Sequence, residues 1–413
     1  MDHTLHDKYS ALYFDSGTLD VSIVQVNSSH IETSASQGVA KSNKSAAPRM
    51  HALDGVRAVA ASLVVAHHMG ASTAAYALND AGHTLVGAIL NGITAGGVEL
   101  FFVLSGVVLA RPYLRAKRPM NAVSYFSRRA KRLFPPFLMA WLLSGLSIYL
   151  ATRFPTWWSQ SERLPAFRLQ DWLQQIGILY WGQKLYNNSW WSLSTEIAFY
   201  LVFPLAIPVF RRAAGSKFLM TLVFIFSVLA SVFAFFHPII QVAVFNRFIV
   251  YSSCFCAGML LAATDIPPVQ RRGMAIAGTA WVFCSAYFNA LNPHVGWGLL
   301  AFALVSTASD HGTAAEQVLS KPIFVWLGER SYSLFLTHFA VIVLVFHGVS
   351  VLTPSKGAAY FLATHFLALL FMLLTAMLLF NFVERRFAKN LATADAFWPW
   401  SVSRMSHEAF ENT

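Results

Sequence analysis

The chain has 413 residues, of which 56% are hydrophobic, 15% aromatic and only 12% charged. An average soluble domain carries about 25% charged residues, so an ordinary water-soluble enzyme is excluded. The formal charge of +11, from 30 Lys+Arg against 19 Asp+Glu, is concentrated in short loops between apolar runs, where positive-inside topology accounts for it without a nucleic-acid partner.

Residues 1 to 48 are polar and rich in Ser, His and Asn. They lack the basic stretch and apolar core of a cleavable signal and are expected to be a disordered cytoplasmic tail. A membrane domain over 49–390 and a second cytoplasmic tail over 391–413 follow. Within the domain, apolar runs place spans at 56–76, 84–110, 135–152, 191–210, 217–236, 239–263, 273–290, 294–308, 321–350 and 357–383, each judged against about 20 residues per crossing. Runs such as Phe218 to Phe236 and Tyr360 to Phe380 are apolar on every side, which selects helices over the alternating strands of a barrel. The expected fold is all-α and polytopic, with about ten transmembrane helices enclosing a polar interior.

The loop from Arg111 to Arg132 holds Arg111, Arg115, Lys117, Arg118, Arg128, Arg129, Lys131 and Arg132, which puts it in the cytoplasm and orients every other loop. Arg211, Arg212 and Lys217, then Arg271 and Arg272, then Arg385, Arg386 and Lys389 all fall on that same side. Both termini are then cytoplasmic in a cell (plasma, or inner) membrane. The 153–190 segment lies outside, with Trp157, Trp158, Trp172, Trp181, Trp190 and Trp191 suited to an interfacial belt, and its amphipathic run from Leu169 to Tyr180 reads as a surface or re-entrant helix. Cys254, Cys256 and Cys284 sit inside apolar segments with no Cys/His metal pattern, and no metal is expected.

Ionisable side chains inside spans are costly and are functional candidates by default. The first span begins Leu53, Asp54, Gly55, Val56, Arg57 and reaches His67 and His68. Eleven residues are close to three helical turns, so Arg57 and His68 share a face about 16 Å apart along the axis, while His67 points about 100° away. Glu99 lies in the outer half of the second span. In the fourth, Glu196 and Tyr200 share a face by the i to i+4 rule. The ninth runs from Gly328 through Ser331 and Tyr332 to His338, and Arg247 lies in the sixth. Taken singly, each fits one satisfied hydrogen bond between helices; together they favour a polar bundle interior.

Such an interior either conducts protons or a solute, as in a transporter, or catalyses. A neutral histidine oriented by a carboxylate is a competent general base for a hydroxyl nucleophile. Arg128, Arg129, Lys131 and Arg132, just before Pro135 and Pro136, suit phosphate recognition through the guanidinium fork, although topology marking and contact with anionic headgroups also explain them. No inverted internal repeat is visible, which disfavours a secondary transporter.

These residues resemble the integral-membrane acyltransferase 3 family, over about residues 50 to 390. Leu53 to His68 is similar to its first-helix signature, an arginine and then a histidine after ten intervening residues. Gly97 to Gly106 resembles the element ending Phe-Phe-Val-Leu-Ser-Gly, and Arg129 with Arg132 resembles the Arg-x-x-Arg pair. Trp191 to Pro204 resembles the Trp-Ser-Leu-Ser-x-Glu element, Gly328 to His338 the Ser-Tyr-Ser-Leu element, and Glu384 with Arg385 and Phe387 the closing Val-Glu-Arg stretch. The chain departs from the pattern at Val56 and Ala58 and, late in the chain, at Thr337, Phe339 and Ala340, which leaves the charged groups intact and bears mainly on acceptor choice.

The resemblance implies an acyl-CoA co-substrate, commonly acetyl-CoA, arriving from the cytoplasm, with no permanently bound cofactor, and a hydroxyl of a cell-envelope saccharide or related acceptor. Arg57, Arg129 and Arg132 would bind the donor phosphates. His68 would be the general base, Glu196 would orient the histidine or the acceptor, and Asp54, Glu99, Tyr200, Ser331, Tyr332 and His338 would support them. The 16 Å between Arg57 and His68 separates donor binding from proton transfer. No esterase-like unit is expected after residue 390, so the chemistry finishes in the membrane domain or passes to a separate protein.

Overall fold

The computed structural model describes residues 50–71, 80–115, 119–162, 164–177, 186–237, 243–288, 291–353 and 357–387, with positions 74 and 78. The expected tails at 1–48 and 391–413 lie outside these. All regular elements among the described residues are helical. They are α1 (His51–Ala66), running into a π turn at His67–Ala71; α2 (Thr84–Ala95); α3 (Gly97–Leu114); α4 (Ala122–Arg153); the short α5 (Trp157–Ser161) and α6 (Leu169–Gln174); α7 (Trp190–Ala213); α8 (Lys217–Phe236); α9 (Ala243–Val250); and α10 (Ser252–Ala263). Then come α11 (Pro268–Phe288), α12 (Pro293–Ala308), α13 (Ala314–Leu319), α14 (Pro322–Glu329), α15 (Ser331–Leu352) and α16 (Ala358–Leu379), which ends in a second π turn at Phe380–Glu384.

Six helices among the described residues are long and apolar enough to cross a bilayer, or seven if α9 and α10, bent by 54°, count as one span. These correspond to seven of the ten expected crossings. The other three, at 56–76, 273–290 and 294–308, are helical but fall short by length or apolarity: α1 and α12 have 16 residues each, and α11 opens on Arg271 and Arg272. Two boundaries also differ from expectation. The third span starts at Ala122 rather than 135, because the Asn121 side chain accepts the Ser124 N–H as a cap and the helix runs through Pro135 and Pro136. The basic residues from Arg128 to Arg132 therefore stand on a helix, not in a loop. The expected span at 321–350 is broken at Arg330, between α14 and α15.

Hydrocarbon-facing surfaces are apolar all round, as on α8 and α16, where Phe218, Phe226, Leu362 and Phe366 are exposed. Inside the bundle, lipid removes the usual hydrophobic drive between helices, so close packing must supply the attraction. Glycines permit it. A Cβ on Gly258 would overlap the Val103 carbonyl oxygen, and one on Gly106 would overlap that of Phe255, so α3 and α10 pack backbone to backbone. Likewise a Cβ on Gly328 would overlap the Asp54 carbonyl, which presses α14 onto α1. The start of α7 is tied to α15, where the Leu336 carbonyl accepts from Asn187 Nδ2 at 3.1 Å and Trp190 Nε1 at 3.3 Å.

Over its described part the 169–180 run is helical, α6 passing into a 3-10 turn at Gln175–Gly177. Trp172 stacks on Trp141 of α4 at 3.9 Å with the rings parallel within 1°. Each indole N–H also donates to the other residue's carbonyl, at 2.8 and 3.1 Å. Gly145 makes room for the Trp172 ring.

Replacing Gly258 with leucine should force α3 and α10 apart and cost about 1–3 kcal/mol of stability, read as a lower thermal midpoint in detergent. Gly348→Ala, where nothing stands within 4 Å of the new Cβ, should leave the midpoint unchanged or raise it.

Candidate active site

Where α1, α3, α4, α7 and α15 meet, they enclose a cavity of about 820 Å³ including its mouth. Its wall carries Arg57, Ser105, Arg129, Arg132, Glu196, Tyr200 and Tyr332, with Phe101, Phe102 and Phe335 among its apolar members. The arginines and the carboxylate singled out in the sequence are thus brought to one hollow.

Helical periodicity explains the local order. Glu196 and Tyr200 share the cavity face of α7, and the Tyr200 hydroxyl donates to Glu196 Oε1. Ser105 Oγ donates to the same oxygen at 2.7 Å. On α4, Tyr125 and Arg129 are also four apart, and the Arg129 guanidinium lies 5.8 Å from the Tyr125 ring and 5.7 Å from that of Tyr200. Arg129 is only 8% exposed. Arg57 has Arg132, Asp54, Glu384 and Glu196 as electrostatic neighbours. Three guanidiniums around one hollow, partly balanced by buried carboxylates, favour an anionic occupant.

Glu384 was quoted from the closing Val-Glu-Arg stretch but given no role. It is buried on the second π turn and accepts from Ser333 Oγ at 2.7 Å. Ser105, which the sequence offers only as part of the Phe-Phe-Val-Leu-Ser-Gly element, enters the site through its bond to Glu196. Tyr332 uses its hydroxyl to hold the Leu133 carbonyl at 3.0 Å, and Ser331 Oγ is buried with no hydrogen-bond partner among the described residues.

His68 is not part of the cavity wall. It stands on the first π turn and pairs with His338: the rings are 5.1 Å apart, and His338 Nε2 lies 3.4 Å from His68 Nδ1. The hydrogen bonds fix the tautomers. His338 Nδ1 faces the Phe335 carbonyl at 2.8 Å and must carry a proton, so its Nε2 accepts. His68 Nδ1 faces the Val64 carbonyl at 2.9 Å and is the donor. The remaining nitrogen of His68, Nε2, then bears the lone pair, as a general base requires. Phe335 separates the histidine pair from the cavity: it lines the cavity, packs 5.9 Å from His338 and meets Phe101 edge-on at 6.1 Å. The turn itself is shaped by Gly70 at φ 118 and by His365, whose Nε2 lies 2.8 Å from the Met69 carbonyl.

Glu99 is not brought to the cavity either. It is buried on the first turn of α3, where His294 Nδ1 of α12 donates to its Oε1 at 2.6 Å. His294 was not singled out in the sequence, since nothing local marks a partner 195 positions away.

Compared with known proteins, the chain is 24% identical over 379 residues to the peptidoglycan O-acetyltransferase OatA of Listeria monocytogenes, covering 82% of this chain and 56% of OatA. It is 32% identical over 167 residues to the acyltransferase MdmB of Streptomyces mycarofaciens, covering 40% of this chain and 41% of that protein. The chain spans about half the length of OatA. No solved structure matches it significantly. A family model described as an acyltransferase domain matches residues 50–394, so the chain belongs to the acyltransferase 3 family that its motifs resembled.

Proposed function

We propose that the protein moves an acyl group, in the first instance acetyl, from cytoplasmic acyl-CoA to a hydroxyl of a cell-envelope saccharide. The observation that carries this reading is the convergence of Arg57, Arg129 and Arg132 on one cavity with Glu196 and Tyr200. Guanidinium forks bind phosphate bidentately, and the 3′-phosphate and diphosphate of CoA would occupy the end of the cavity marked by Arg129 and Arg132. A solute-transport reading leaves that cluster without a task. OatA and MdmB, as named, support acyl transfer, and OatA a saccharide acceptor.

In this mechanism His68 Nε2 takes the proton from the acceptor hydroxyl as its oxygen attacks the thioester carbonyl. The C–S bond breaks, and the imidazolium returns the proton to the CoA thiolate, so no net proton is consumed. The acyl group reaches His68 past Phe335, whose ring turns between rotamers to join the two compartments. Glu196, fixed by Ser105 and Tyr200, keeps Arg57 and Arg129 oriented toward the donor. Asp54 balances Arg57 from the same helix. The enzyme would sit in the plasma membrane with both termini in the cytoplasm.

His68→Ala should lower kcat about 10²- to 10⁴-fold, the usual worth of general-base help, while acetyl-CoA binding in purified membranes stays near the parent value. Arg129→Ala should do the reverse. Losing charge-assisted bonds of about 1.5–3 kcal/mol weakens donor affinity roughly 10- to 100-fold, with a smaller change in kcat. Full acyl transfer by a correctly inserted His68→Ala protein would remove the base assignment. Tyr200→Phe, which takes one of two donors from Glu196 Oε1, should raise the KM for acetyl-CoA about 3- to 10-fold, on the scale of one lost hydrogen bond.

A further inference from the structure

On α3, Glu99 and Arg111 are twelve residues apart, about 18 Å along the axis, so Glu99 lies at the end of α3 opposite Arg111 and the basic stretch that follows it. A second polar cluster is built there. Glu99 is 2% exposed, and its Oε2 has no hydrogen-bond partner among the described residues. His294 engages the other oxygen through Nδ1, which leaves His294 Nε2 with the lone pair. Tyr251 packs 4.3 Å from the His294 ring and 5.5 Å from Trp191, and the exposed Arg247 places its guanidinium 5.5 Å over Trp191. None of these groups has a task in the donor cavity.

We propose that the Glu99–His294 pair, with Trp191 and Arg247 at its rim, is the subsite that receives the acceptor, a polyhydroxylated saccharide entering from the outer face. The inference rests on the acyl-transfer reading above and adds where and how the second substrate binds. A buried carboxylate oxygen without a donor is an expensive state that an incoming hydroxyl relieves. Carboxylate Oε2 and imidazole Nε2 both accept, the guanidinium donates, and the Trp191 ring offers an apolar face. Alternating acceptors and donors beside an aromatic plane match a sugar, whose hydroxyls do both and whose C–H face is apolar.

The cluster also adjoins the chemistry. Val98, Phe102 and Ser192, which line the donor cavity, are one to three residues from Glu99 or Trp191 on the same helices, and Phe102 meets Tyr251 at 5.1 Å. His67, an electrostatic neighbour of Glu99, lies 5.4 Å, ring to ring, from His68. Glu99 and the proposed base His68 are thus both neighbours of His67.

The test uses the purified full-length protein with radiolabelled acetyl-CoA as donor and, as acceptor, the carbohydrate fraction of a cell envelope stripped of its esters by mild alkali. Glu99→Gln and His294→Gln should bind acetyl-CoA within about twofold of the parent yet transfer at least about tenfold less alkali-labile acetyl, the scale of a lost hydrogen bond to a charged group. Arg247→Ala should raise the KM for the carbohydrate with kcat unchanged. Undiminished transfer by the Glu99 and His294 variants, or donor binding falling in step with transfer, overturns the subsite. If the buried variants fail to accumulate, Arg247→Ala decides alone, and an unchanged carbohydrate KM overturns it. A parent protein that binds acetyl-CoA but acetylates no carbohydrate removes the saccharide acceptor and leaves acyl transfer standing. One that does neither removes acyl transfer itself.

Discussion

The structure depends on the cost of holding ionised groups in a medium that offers no water. Removing a single ion from water costs several kcal/mol even after the protein relaxes, and Arg57, Arg129 and Arg132 stand around one hollow inside a helical bundle. They persist because carboxylates and aromatic faces come from helices far apart in the chain: Asp54 on α1, Glu196 on α7, Glu384 after α16, and the rings of Tyr125 and Tyr200. Those helices must in turn approach closely, and at Gly55, Gly106, Gly258 and Gly328 a side chain would run into a neighbouring backbone carbonyl. The small-residue contacts and the charged interior are one arrangement, since van der Waals packing between helices is what keeps lipid out of the polar space. On the cavity wall itself three guanidiniums face one carboxylate, Glu196, and this local excess of positive charge favours an anion.

What the sequence made legible was whatever is periodic or local. Spans appear as apolar runs, and pairs four residues apart, such as Glu196 with Tyr200, are visible as soon as the helix is assumed. Pairs made between helices were invisible. His68 meets His338 across 270 positions and Glu99 meets His294 across 195, and neither pairing leaves a mark on the pattern around each residue. The same limit explains Glu384, whose partner Ser333 lies 51 positions away. Helix starts misled in a different way. The apolar run put the third span at 135; the Asn121 cap starts the helix thirteen residues earlier, and with it the basic residues acquire fixed spacing and direction.

The departures from regular helix fall beside the polar groups. One π turn carries His67 and His68, another carries Glu384, and breaks occur at Arg330 and at Tyr251. A regular helix commits every side chain to a 100° step and every carbonyl to its own ladder. A π turn releases both constraints for a few residues, which is why such turns collect at functional sites. At His68 the release has a visible use. The Val64 carbonyl is close enough to take the Nδ1 proton, and Met69 is held by His365 from α16. Orientation of the imidazole thus comes from main-chain carbonyls and a neighbouring histidine instead of a carboxylate.

That choice of partners bears on the base role proposed for His68. The Val64 carbonyl accepts the Nδ1 N–H of His68 beside the lone pair of His338, which orients the ring and leaves Nε2 as its open acceptor. The carboxylates are placed elsewhere, Glu196 among the arginines and Glu99 as acceptor of the His294 Nδ1 N–H. The Phe101–Phe335 contact stands between these regions. In the proposed acyl transfer, an aromatic wall of that kind would keep water from the thioester until an acceptor is present, because water would compete with the acceptor hydroxyl for the same carbonyl. Separation of the histidine pair from the arginines, which at first looks like a defect in a shared site, is what the proposed transfer would require if its two substrates came from opposite ends of the bundle.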